Sequence, residues 1–185
     1  ARVYCHKTLE ALANYSSVPV LNALSDMYHP CQVLSDLFTA WEKFGTLEGL
    51  KWSYVGDGNN VCHSLLICCS KLGIDISIAT PRKYEPNGSV LKKARENANE
   101  QGSEILSYHT PDEAVVGADI VYTDVWTSMG MESEEAQRKE AFKRFVVNRK
   151  LLSEANDAAV VMHCLPAHRG AEITDDVIDG KQSIV

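Results

Sequence analysis

Leu50-Lys51-Trp52-Ser53-Tyr54-Val55-Gly56-Asp57-Gly58-Asn59-Asn60 runs directly into the apolar stretch 61–72, then Gly73 and Ile74-Asp75-Ile76-Ser77-Ile78-Ala79. Trp52, Tyr54 and Val55 supply aromatic and β-branched side chains to the first six residues, which predicts a strand. Two glycines and two asparagines then force a turn. Residues 61–72 repeat apolar side chains at helical spacing and stop at a glycine, the usual helix exit. Residues 74–79 read as a second strand. A strand, a helix and a strand joined this tightly make a βαβ unit, which in one sheet means parallel strands.

The pattern continues outward. Toward the carboxyl end the sequence predicts a helix over 89–101 closed by Gly102, and a strand over 104–108. A short helix opens at the capping box Thr110-Pro111-Asp112-Glu113, and a strand follows over 118–123. A charged amphipathic helix over 132–145 comes next, then a shorter one capped by Asn148. A strand over 158–162 and a last short helix after Thr174 complete the alternation. Toward the amino end, Pro30 opens a helix over 30–44 that leaves through Gly45, and residues 17–22 read as a short strand. The expected fold is α/β: a parallel sheet with helices on both faces, preceded by the tail of another α/β domain. The expected boundary puts residues 1–32 in the first domain and 33–185 in the second. Ala1-Arg2-Val3-Tyr4 and Ser183-Ile184-Val185 are both strand-like, so the chain reads as a piece of a longer protein.

Composition narrows the function. The 185 residues are 45% apolar and carry a net charge of −7. Without a basic run, nucleic acid and anionic membrane surfaces are poor partners. No apolar run approaches the roughly 20 residues of a membrane span, and no signal peptide is visible. Six cysteines stand at 5, 31, 62, 68, 69 and 164 with no CxxC pair. This reads as reduced thiols in a cytoplasmic protein rather than a disulfide framework.

Chemistry gathers where strands end, since parallel strands share one carboxyl edge and ligands bind there. Three strands end in Gly56-Asp57-Gly58-Asn59-Asn60, in Asp124-Val125-Trp126-Thr127-Ser128-Met129-Gly130 and in His163-Cys164-Leu165-Pro166. Asn60, Asp124 and Cys164 can therefore meet one small polar ligand that carries an amine. The glycine turn by itself also admits a dinucleotide. Its third glycine is missing, however, and the next strand runs into Thr80-Pro81 where a ribose-binding carboxylate belongs. Cys164 has three readings: a nucleophile, for which His163 is poorly placed as base because strand neighbours face opposite sides; a metal ligand, for which His163, Cys164 and His168 do not fit a familiar spacing; or an inert buried thiol. Cys62, Cys68, Cys69 and His63 lie on the apolar helix and read as core. His29-Pro30-Cys31-Gln32 begins a helix, where backbone N–H groups favour an anion or a polarised carbonyl; a plain capped helix start is the alternative.

Taken together, Ala1–Tyr4, residues 24–32, the Gly56–Asn60 turn, the Asp124–Gly130 loop and His163-Cys164-Leu165-Pro166 closely resemble the aspartate/ornithine transcarbamylase family, and within it the ornithine branch. The resemblance implies transfer of a carbamoyl group from carbamoyl phosphate to the δ-amine of L-ornithine, giving citrulline and phosphate within arginine metabolism. It implies no metal or organic cofactor, and homotrimers of the intact protein. By this resemblance Arg2, His29 and Cys164 are catalytic. Arg2, His29, Pro30, Cys31, Gln32, Cys164 and Leu165 face carbamoyl phosphate. Asn60, Asp124, Ser128 and Met129 hold ornithine, with a Cys164 thiolate beside the reacting amine and the Ser128–Gly130 loop closing over it. The family's Ser-x-Arg-Thr phosphate motif and its later Glu-Asn-Arg segment are not in these 185 residues, so the isolated chain is expected not to turn over. The alternatives are a carbamoyltransferase for another amine, such as putrescine or acetylornithine, and a non-catalytic amino-acid-binding relic.

Overall fold

A computed structural model describes residues 1–127 and 132–185. Helix α1 (His6–Tyr15) and helix α2 (Pro30–Phe44) precede the sheet. Strand β1 (Lys51–Val55), α3 (Asn60–Leu72), β2 (Asp75–Ala79), α4 (Gly88–Gln101), β3 (Ile105–Tyr108), α5 (Pro111–Val115) and β4 (Ile120–Thr123) follow. A 3₁₀ turn at Glu132–Glu134 leads into α6 (Glu135–Phe142), α7 (Arg149–Leu152), β5 (Val160–His163) and α8 (Asp175–Ile178).

Among the described residues five strands form one parallel sheet, in the order β3-β2-β1-β4-β5. Alternation along each strand sorts side chains onto two faces. Trp52, Tyr54, Ile76, Ile78, Ile120, Tyr122, Val160 and Met162 form one core with α2, α3 and α4. Val55, Ala79, Val121 and Val161 form the other with residues of α5, α6, α7 and α8. Helices therefore cover both faces, as the βαβ pattern requires.

The glycine punctuation explains why most boundaries were legible. Gly45, Gly73 and Gly102 close α2, α3 and α4 in the left-handed conformation, and each donates its N–H back to the last helical turn. Asn148 caps α7 through a hydrogen bond from the Leu151 N–H.

Two expectations need correction, and one helix is additional. Residues 17–22 form no strand; Val18 and Leu21 are exposed there, and the local pairing is a single bridge between Arg2 and Leu24. The helix foreseen over 132–145 is a 3₁₀ turn followed by α6, which ends at Phe142. Helix α1 went unforeseen: its N-cap Cys5 makes no capping bond, and Leu9 is its buried residue. At the other end, Ser183 bridges Val161 and the Ile184 N–H donates to the Val161 carbonyl, which extends the sheet beyond β5.

Candidate active site

The strand order reverses between β1 and β4, and in such sheets the crevice above that reversal is the binding position. Register aligns Val55 with Thr123 and Thr123 with His163, so the three strands end in one row. Directly above lies a cavity of about 500 Å³. Arg2, His29, Asn60, Asp124, Cys164 and Leu165 all line it. Six of the residues singled out from sequence are thus brought to one place.

Others are not. Pro30 sits at the first position of α2. Cys31 is exposed and its Sγ–H donates to the Asn22 carbonyl. Gln32 donates its amide to Asp36 Oδ1 at 2.9 Å, and Tyr122 Oη–H donates to the other Asp36 oxygen at 2.8 Å. None of these three N-terminal α2 residues lines the cavity. Ser128 and Met129 lie outside the described residues.

Asp124 organises the cavity floor. Its Oδ1 accepts from the Val125 N–H at 2.7 Å and from the Cys164 Sγ–H at 2.8 Å. Its Oδ2 accepts from the Asn59 amide at 2.7 Å. Asn59 is itself pinned as the N-cap of α3, accepting from the Val61 and Cys62 N–H groups. Asn60 reaches the other way and donates to the Ser25 carbonyl at 2.7 Å. Burial raises the Cys164 thiol far above its ordinary value, and the Asp124 carboxylate beside it adds to the rise. In this arrangement Cys164 is a thiol that donates to Asp124.

His29 is the N-cap of α2, and its backbone N–H donates to Ser64 Oγ at 2.8 Å. Burial lowers its pKa, and Arg2 nearby lowers it further, so the ring is neutral near pH 7. His63 also lines the cavity, but as a brace: Nδ1 meets the Met27 carbonyl at 2.9 Å and Nε2 accepts from the Asn87 N–H at 2.9 Å. The bland reading of His63 from sequence thus holds for its bonding.

Sequence reasoning missed Arg138. This buried arginine of α6 donates to Asp57 Oδ2 at 2.7 Å and to the Trp126 carbonyl at 2.8 Å, and its guanidinium lies 4.9 Å from the Tyr84 ring centre. It ties the β1 turn to the loop after β4. Asp57 is nonetheless pushed up to about 6, because burial outweighs the Arg138 charge. No local signal marks such a pair, since 81 positions separate its members. Asp124, His163 and Cys164 offer ligand atoms within 4.8 Å of one another. Both ring nitrogens of His163 are already engaged, by the Leu165 N–H and by Glu172, which leaves the imidazole no lone pair to give.

Sequence profiles place this geometry in a lineage. The aspartate/ornithine carbamoyltransferase Asp/Orn binding domain matches residues 48–185, and the carbamoyl-P binding domain of the same enzymes matches residues 1–42. The chain belongs to the aspartate/ornithine carbamoyltransferase family. It is 56% identical over all 185 residues to the ornithine carbamoyltransferase of Pyrococcus horikoshii, and spans 58% of that protein's length. The structure of ornithine carbamoyltransferase from Pyrococcus furiosus superimposes on the whole chain with a TM-score of 0.96 at 55% identity, over 59% of its own length. An acetylornithine transcarbamylase complexed with acetylcitrulline aligns over 99% of this chain and 61% of its own, with a TM-score of 0.87 at 29% identity. The carbamoyl-P match ends at residue 42, inside α2, and the Asp/Orn match begins at 48, beyond it; Val33, Leu37 and Ala40 of α2 pack into the core with α3. Among the described residues no helix is long and apolar enough to cross a membrane.

Proposed function

We propose that the intact polypeptide transfers the carbamoyl group of carbamoyl phosphate to the δ-amine of L-ornithine, giving L-citrulline and phosphate. One observation carries this reading. In a chain of this family, Arg2 and His29 share a cavity with the hydrogen-bonded pair Asp124 and Cys164. A cation and a ring donor suit the phosphate and the carbonyl oxygen. A carboxylate beside a thiol suits the amino acid.

The roles follow from charge and bonding capacity. Arg2 neutralises phosphate charge. His29, neutral, donates to the carbonyl oxygen as it becomes an oxyanion. Asp124 receives the α-ammonium of ornithine, with Asn60, Ser128 and Met129 as further ornithine contacts. Cys164 and Leu165 lie against the reacting amine. Cys164 acts as a donor that orients, and the δ-amine proton leaves to another base. Attack then forms the C–N bond, and the C–O bond to phosphate breaks with its electron pair. Holding both substrates in one cavity supplies much of the rate gain.

In this reading residues 1–32 complete the carbamoyl-phosphate side and residues 33–185 form the ornithine side. The reading invokes no cofactor, and it takes the intact protein to be a cytoplasmic homotrimer. The test is an acceptor panel. The intact polypeptide is given carbamoyl phosphate with L-ornithine, putrescine, N-acetylornithine or L-aspartate, and phosphate release and ureido product are measured. Ornithine is expected to be the preferred acceptor by a wide margin. Preference for another amine, or no transfer to any, refutes the proposal.

A further inference from the structure

The first histidine of His163-Cys164-Leu165-Pro166 takes no part in the chemistry above, yet its side chain is fully buried. The ring accepts the Leu165 N–H at Nδ1, 2.8 Å away, so its proton sits on Nε2. Nε2 meets Glu172 Oε1 at 3.2 Å, and the Glu172 side chain is also fully buried. The same Glu172 oxygen accepts the His168 N–H. Glu172 thus gathers both ends of the loop that carries Cys164. One end is held through the imidazole and the other through a backbone amide. The loop needs holding. Leu165 has a φ of 55°, a conformation that costs a non-glycine residue and persists where surrounding bonds enforce it. Leu165 and Cys164 are the residues this loop presents to the cavity, together with Pro166.

We infer that His163 and Glu172 are positioning residues: a buried buckle that sets the Cys164–Leu165 backbone, and so the aim of the thiol at Asp124. What the buckle requires of position 172 is one acceptor oxygen. The second oxygen, Oε2, is buried and has no hydrogen-bond partner among the described residues. Glutamine keeps the acceptor and places its amide where that oxygen stands. Alanine removes the acceptor and strands the buried His163 Nε2–H together with the His168 N–H.

This inference rests on the proposed carbamoyl transfer only for its catalytic consequence, so the test reads the loop directly. Glu172→Gln and Glu172→Ala are made in the intact polypeptide, and alkylation by iodoacetamide is followed residue by residue with peptide mass spectrometry. Buried Cys62 and Cys69 serve as internal reporters of the core. Glu172→Ala is expected to speed Cys164 alkylation by about tenfold or more while Cys62 and Cys69 stay unreactive, as local opening requires. Glu172→Gln is expected to stay within about twofold of wild type, since the acceptor is retained. Amide hydrogen exchange of the 163–172 peptide provides a second readout, quickened by alanine and unchanged by glutamine. Unchanged Cys164 reactivity in Glu172→Ala overturns the inference. So does an equal effect of glutamine and alanine. Release of Cys62 and Cys69 together with Cys164 does so too, because Glu172 would then be a general core group. In the ornithine assay the alanine variant should lose about tenfold or more in kcat/KM and the glutamine variant should restore it. If the thiol results hold while no variant carbamoylates ornithine, the functional reading fails and the buckle stands.

Discussion

Gly58 offers the sharpest test of how the β1 turn builds the cavity. A Cβ placed there meets Pro86 N at 2.2 Å, the Glu85 carbonyl carbon at 2.4 Å and Tyr84 O at 2.7 Å. All three are backbone atoms, so no side chain can swing aside. The nearest is more than an ångström short of ordinary contact. Gly58 also donates its N–H to the Tyr84 carbonyl at 2.9 Å. Gly58→Ala must therefore push two chain segments apart and loosen that bond. Overpacking costs about 1–3 kcal/mol, and the weakened bond about 1 kcal/mol, so a loss of about 2–4 kcal/mol is expected. The displaced turn carries Asn59, whose amide holds Asp124 at 2.7 Å. Misplacement on that scale should cost about a hundredfold in kcat/KM for ornithine. Gly88→Ala is the control, since nothing lies within 4 Å of its Cβ. It should shift stability by no more than about 0.5 kcal/mol. Urea unfolding of the intact polypeptide and the ornithine assay read both quantities. A Gly58→Ala protein as stable and active as Gly88→Ala would refute the close approach and the role given to the turn.

Three further outcomes follow from buried charge. Asp36 is pushed up to about 6 by burial, from an ordinary 3.8, despite its bonds from Gln32 and Tyr122. The folded state therefore binds its proton more tightly than the unfolded chain does. The resulting stability is complete below about pH 4 and lost as pH rises through about 6, by roughly 3 kcal/mol at most. Asp36→Asn should flatten that part of the pH dependence of urea midpoints; an unchanged slope refutes the assignment. Arg138→Met leaves Asp57 buried without its guanidinium partner and should cost about 3–5 kcal/mol. Arg138→Met combined with Asp57→Asn should recover part of the loss, and a double variant no better than the single would contradict the pairing. At neutral pH Cys164 should alkylate more slowly than exposed Cys5, and Asp124→Asn should speed it by removing the neighbouring carboxylate that burial and charge use to hold the proton on sulfur. Equal rates at Cys5 and Cys164 in the wild-type protein would be evidence against a buried thiol.

The sheet was readable because its signals are local. Aromatic and β-branched runs, helix-ending glycines and the Asn148 cap each lie within a few residues of what they determine. Residues 17–22 carry the same apolar signal, but a strand needs a ladder of backbone bonds, and along them among the described residues only the Leu21 carbonyl meets the backbone of another segment, at the Ala1 amino group. Asn60, Asp124 and Cys164 were legible because strand ends in a parallel sheet share an edge. Their bonding was not. Asn59 rather than Asn60 grips Asp124, since the N-cap geometry of α3 aims it there. The bond from the Gln32 amide to Asp36 was not legible either, because it forms across one turn of α2 to a carboxylate that Tyr122 also holds. Arg138 and Glu172 gave no signal, because each acts through partners that only the folded chain brings near.

The central claim is that one cavity receives both substrates. Its most direct test is titration of the intact polypeptide with a single molecule that joins them, a phosphonoacetyl amide of the ornithine δ-amine. The account predicts binding tighter than either substrate alone by about a hundredfold or more, as expected when one ligand fills both halves of a reaction site. It also predicts protection of Cys164 from alkylation and loss of the gain in Arg2→Met and Asp124→Asn. A conjugate that binds no tighter than ornithine or carbamoyl phosphate, or that leaves Cys164 open to reagent, would contradict it.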